Sequence, residues 1–206
     1  MNTTEIKIKG IINSFDDLYK YAMKQFLEYE KLEGIEDWKE HDFSIDCSQD
    51  QMRFKDMLQI RCIEELTEAT HALDNKEHFF EEVTDALNFF LSAYCMLGVD
   101  FKKFKDPEEI LDSFGYGGAT FPYEQKIKIL FYMIVDDIGD LCNLLKNRPW
   151  AQSNYLVSML DFDIRLNKLW NTFWEVLHEL HLTKEELFEM FERKYEVNRF
   201  RIKTGY

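Results

Sequence analysis

Residues 48–98 read SQDQMRFKDMLQIRCIEELTEATHALDNKEHFFEEVTDALNFFLSAYCMLG. They hold no proline, and their only glycine is the last residue. A stretch so free of breakers is helical wherever its apolar residues recur three and four apart. Met52, Met57, Ile60, Ile63 and Leu66 supply the apolar positions of one helix, from Ser48 to about Leu73, with Ser48 and Gln51 at reciprocal capping positions. Asp74, with Glu77 three residues on, caps a second helix that runs through Phe89, Phe90 and Leu91 to Leu97, where Gly98 closes it. The short turn between them makes the two helices antiparallel neighbours.

The same pattern extends outward. Phe15 to Leu32 is amphipathic, with Leu18, Ala22, Phe26 and Tyr29 near one face, and Gly34 ends it. Residues 35–47 are turn-like and contain Trp38. Pro107 to Phe114 reads as a short helix, followed by a loop at Gly115, Gly117 and Gly118. Tyr123 to Lys146 is helical up to Pro149, and 151–180 is one long helix or two. Thr183 with Glu186 opens the last helix as a capping box. With no internal repeat or linker, residues 1–206 form one all-α domain, an antiparallel helical bundle in which 102–182 is a helical insert or cap.

Bulk composition narrows the function. A hydrophobic content of 46% excludes a disordered chain. A net charge of −14 argues against a nucleic-acid partner, since phosphate neutralisation needs clustered Lys and Arg. A small polyanionic substrate remains compatible, given a local positive site and a metal to screen its charge. Cys47, Cys62, Cys95 and Cys142 are widely spaced and read as reduced core residues. The longest uncharged run, Ala86 to Val99, is too short to span a bilayer, and the first residues lack a signal-peptide pattern. The expectation is a cytoplasmic protein with no membrane partner.

Within the opening stretch, Glu64-Glu65-Leu66-Thr67-Glu68 is followed by Glu82-Val83-Thr84-Asp85. Residues three or four apart share a helix face, so Glu65 and Glu68 point one way, with Glu64 beside them, and Glu82 pairs with Asp85. On antiparallel helices these groups converge. Converged carboxylates repel, and Mg²⁺ relieves the repulsion with hard oxygen ligands while keeping waters for a phosphate to replace. In a chain with 39 acidic residues such pairs also arise by chance; Asp137/Asp140 is one. Small apolar neighbours (Ala69, Ala72, Val83, Ala86, Leu87) suit burial of Glu68 and Asp85 in a helix–helix seam.

At the other end, Lys194, Asn198 and Arg201 lie four and three apart on one face, before Gly205 and Tyr206. Lys offers a point charge, Arg a fork matched to phosphate oxygens, and Asn a neutral donor. A solvated basic last turn that complements the helix dipole accounts for the same composition.

Glu-Glu-x-x-Glu followed by Glu-x-x-Asp resembles the metal signature of the all-α NTP pyrophosphatases. The ending Lys194-x-x-x-Asn198-x-x-Arg201-x-x-x-Gly205-Tyr206 resembles the closing motif of the dimeric dUTPases in that group. The likeness covers 50–100 and 183–206, with 102–182 matching only as helical filler. It departs at Ile202-Lys203, where the family commonly has Gln-Asp, and at Asn88, where it commonly has His. The gap between the acidic pairs is also short, its usual Trp-Lys-rich stretch reduced to Asn75-Lys76-Glu77-His78, which leaves base specificity open.

The resemblance implies a fold of the all-α NTP pyrophosphatase type and a homodimer. It implies Mg²⁺-dependent hydrolysis of a deoxynucleoside triphosphate, with dUTP the leading substrate and dCTP or another dNTP the alternative. Glu65, Glu68, Glu82 and Asp85 would bind Mg²⁺; Glu64 or Glu65 would be the base; Lys194, Asn198, Arg201 and Tyr206 would hold phosphates. Asn88 would reach the nucleoside, with Gln25 and Trp38 as weaker candidates. Two other classes compete. Glu68-x-x-His71 and Glu175-x-x-His178 have the spacing of a di-iron carboxylate bundle. A non-catalytic helical interaction protein would show no metal dependence at all.

Overall fold

The computed structural model describes residues 11–32, 34, 43–113, 122–145 and 158–204. Eight α-helices and no strands lie among the described residues: α1 (Phe15–Leu32), α2 (Ser48–Lys55), α3 (Ile63–His71), α4 (Lys76–Met96), α5 (Pro107–Ser113), α6 (Tyr123–Leu144), α7 (Met159–Glu179) and α8 (Lys184–Thr204). The all-α reading therefore holds, and most boundaries fall within a residue or two of the pattern. The loop glycines after Phe114, Pro149, Trp38, Gly205 and Tyr206 lie outside the described residues.

α2 and α3 form one rod interrupted by a π-helical segment, Asp56–Cys62. Its cause is visible in the buried residues Phe54, Leu58, Cys62 and Leu66, spaced four apart. In an unbroken α-helix each step of four drifts about 40° round the axis, and the wider π turns cancel that drift. Expected core residues on this helix move accordingly: Met52 and Ile60 are 66% and 56% exposed, and Phe54 and Leu58 replace them inside. Two caps also differ. Cys47, not Ser48, is the N-cap of α2, and Gln51 turns back to the Ile45 carbonyl. Asn75, not Asp74, caps α4 by accepting from the His78 N–H. At α8 the expected box forms: Glu186 N–H donates to Thr183 Oγ1 and Thr183 N–H to Glu186 Oε2.

α4 is the central helix, buried round most of its circumference. It packs on the α2–α3 rod, on α1 and on α8. α7 crosses it antiparallel: Phe90 stacks on Phe173 at 4.1 Å, and Tyr94 Oη donates to the Leu166 carbonyl at 2.7 Å. α6 and α7 are antiparallel too, joined by Lys126–Glu179, Lys168–Asp137 and Arg165–Asp140. Asp137 is buried and also accepts from Thr172 Oγ1, so that carboxylate is spent on the helix seam. α1 and α8 run parallel, as the ring contacts Phe15–Phe188 and Tyr21–Tyr195 show. Arg53 pins the far end of α1 to α2 through both oxygens of buried Glu30, at 2.6 Å each. α1, α4 and α8 thus enclose a three-helix corner, and the acidic residues of α3 and α4 open onto it.

Candidate active site

α4 sets Glu82 and Asp85 on one face, and its antiparallel neighbour α3 brings Glu65 against them. One oxygen from each of the three lies within 4.8 Å of the others. Glu82 is 8% exposed, and Asp85 and Glu65 are half-buried. Burial, then the charge of Asp85 and a hydrogen bond from protonated Glu65 to Glu82, push the Glu65 carboxyl up to about 8. Burial also raises Asp85, against the opposing pull of Lys194. The cluster therefore holds a proton on Glu65 at neutral pH or accepts a cation in its place. Hard carboxylate oxygens closing on one point suit a divalent ion such as Mg²⁺.

The other acidic candidates divide. Glu68 is exposed and lies outside the three-residue group, contrary to the expected burial in a seam; it follows the solvent edge of α3, although its charge still bears on Glu65. Glu64 is exposed and stands 3.9 Å from Arg61 on the outer face. No second group of this kind is found among the described residues. His71 and His178 belong to none, and Glu175 sits in the field of Lys105 and Asp137 on the α6–α7 side. The di-iron arrangement is therefore not formed.

The cationic face of α8 folds back onto this cluster. Lys194 Nζ pairs with Asp85 Oδ2 and stands 3.8 Å from Glu81. Asn198 is buried one turn on, and Arg201, a further turn along, is exposed. Tyr29 on α1, expected only as part of an apolar face, lies among these groups. Burial raises its hydroxyl pKa, and the charges of Arg201, Asp85 and Lys194 all act on it. The i, i+4 relation to Gln25 was its only sequence signal. Asn88, one turn beyond Asp85, is 7% exposed, and its Nδ2 has no hydrogen-bond partner; the same is true of Oε1 of buried Gln25. Buried polar atoms left unpaired are costly and mark places where a ligand can supply the missing partner.

A family model described as dUTPase matches residues 68–206. The chain belongs to the dUTPase family. This places it among the nucleotide pyrophosphatases, which are hydrolases. The match takes in Glu68, Glu82, Asp85 and the whole C-terminal motif, and its range includes residues 102–182. Glu64 and Glu65 precede it. Comparison with curated proteins and with solved structures gives no match. Among the described residues, no helix is long and apolar enough to cross a membrane.

Proposed function

We propose that this member of the dUTPase family hydrolyses a deoxynucleoside triphosphate, with dUTP the leading substrate, to the monophosphate and pyrophosphate in a Mg²⁺-dependent reaction. The observation that carries the reading is the meeting of Glu65, Glu82 and Asp85 from α3 and α4 with Lys194 from the far end of the chain. Glu65, Glu82 and Asp85 would hold the cation, with Glu68 reaching it from the solvent edge. Bound there, the ion would screen the triphosphate and offset charge developing on the leaving pyrophosphate.

The chain's own groups do the rest. Lys194 and Arg201 hold phosphate oxygens by charge-assisted hydrogen bonds, and Asn198 adds a neutral donor. Tyr206 joins them as the family motif implies. A water attacks phosphorus at the α,β bridge, the P–O bond to the bridging oxygen breaks, and pyrophosphate departs. Glu65 takes the water's proton, as the family resemblance implies for Glu64 or Glu65. Glu64, exposed on the outer face, is the second choice. Asn88 contacts the base or sugar through its unpaired amide, with Gln25 facing the same need from α1.

A homodimer is the form the resemblance implies, and a cytoplasmic location is the expectation from the sequence pattern. The phenylalanines do not argue for it, because Phe200 alone among those described is exposed. Tyr132, Leu160 and Ile164, each more than half exposed, are the side chains an interface would cover. Pyrophosphate release measured across dUTP, dCTP, dTTP and the ribonucleotides, with and without Mg²⁺, tests the reading. Release from at least one deoxynucleotide that stops on chelation is expected; no release from any of them refutes it.

A further inference from the structure

His78 lies one turn before Glu82 on α4. Its own N–H is held by the Asn75 cap, which fixes the start of the helix beneath it. From there the imidazole Nδ1 reaches 3.0 Å from Glu82 Oε1. The ring is about half exposed, whereas the Glu82 carboxylate is almost wholly buried. An exposed side chain is thus turned inward onto a buried carboxylate of the acidic group. Glu82 also shares a hydrogen bond with Glu65. It is the one member of the three that is restrained from two sides, by a partner within the cluster and by a donor outside it.

Given the cation-site reading, on which this depends, we propose that His78 is a positioning residue for the metal. Its Nδ1–H donates to one oxygen of Glu82 and fixes the carboxylate rotamer, so that the remaining lone pairs point at the position shared with Glu65 and Asp85. A glutamate has three side-chain torsions to immobilise before it can ligate. A donor that holds one oxygen beforehand removes that loss from the binding step. Outer partners of this kind commonly govern metal affinity by 10- to 100-fold. Nothing in the pairing asks His78 to touch substrate, and nothing in it is needed for the core, because the ring is on the surface. The His-x-x-x-Glu spacing was present in the sequence, but only the side-chain geometry separates it from a chance helical pair.

The test uses the full chain and Mn²⁺ as the probe, with free and bound Mn²⁺ read by electron paramagnetic resonance and with no nucleotide present. His78→Ala is expected to weaken binding by about tenfold or more, with an unchanged circular dichroism spectrum. His78→Asn, whose amide nitrogen stands where Nδ1 stood, is expected to restore most of the affinity. His78→Gln, whose amide replaces Nε2 instead, is expected to bind like the alanine variant. Wild-type affinity in His78→Ala, or equal losses in Ala and Asn, would overturn the role of His78 and leave the metal site standing. A wild-type chain that binds no Mn²⁺ would remove the cation site itself, and this role with it.

Discussion

Replacing Glu65 by Gln should stabilise the protein in a chelator while destroying its response to metal. The three carboxylates are held together by α3 and α4, which pack for reasons unconnected with charge. The burial of Glu65, and after it the repulsion from its neighbours, is therefore a strain that the core sustains. Raising the Glu65 carboxyl from 4.5 to about 8 sets a ceiling, since each tenfold change in proton affinity is worth about 1.4 kcal/mol. At pH 7.5 that ceiling is about 4 kcal/mol, but Glu65 is only half-buried and solvent screening reduces it to roughly 1 kcal/mol. For a chain of this length the gain corresponds to a rise of roughly 2–4 °C in Tm.

The sign with pH follows from the same shift. The proton is bound more tightly by Glu65 in the fold than in the unfolded chain. The penalty is therefore absent below about 4.5 and grows as pH rises toward about 8. Scanning calorimetry in EDTA should show that loss of stability in the wild type and a flatter profile in Glu65→Gln. Saturating Mg²⁺ should raise the wild-type Tm, as a ligand of the native state does, and leave that of the variant unmoved. A variant less stable than wild type in EDTA at pH 7.5, or one with an undiminished Mg²⁺ response, would refute the account of the cluster as a strained cation site.

Three further outcomes are expected. Arg201→Ala should raise KM for the triphosphate by about tenfold with little change in kcat, consistent with the loss of one charge-assisted phosphate contact; steady-state kinetics at fixed Mg²⁺ decide it. Arg53→Ala removes the guanidinium nitrogen that contacts both oxygens of the buried Glu30 carboxylate and should destabilise the fold by about 3 kcal/mol in urea titration. Leu58→Ala should cost about 3 kcal/mol by cavity formation, while Ile60→Ala, at an exposed position, should stay within about 0.5 kcal/mol. The reverse order would mean that the rod lacks its π-helical turn.

Helices and their limits were legible because they rest on local physics. Few breakers, apolar residues three and four apart, and the Thr183–Glu186 box act within a turn or two of chain. The pairing of Glu82 with Asp85 and of Lys194 with Asn198 followed from the same periodicity, and the antiparallel hairpin brought Glu65 within reach. What the sequence left open needed side chains far apart in the chain. The four-residue spacing of Phe54, Leu58, Cys62 and Leu66 has no fixed face until α4 packs on it, and that packing selects the π segment and turns Met52 and Ile60 outward. Glu68 was indistinguishable from Glu65 by spacing, yet the depth of the α3–α4 contact half-buries Glu65 and leaves Glu68 in solvent. The closure of α8 over Asp85, the presence of Tyr29 among its charges, and the hold of His78 on Glu82 are likewise tertiary facts. Periodicity gives a direction around one helix axis, whereas the distance between two axes and the height of one helix against another are set by the packed core.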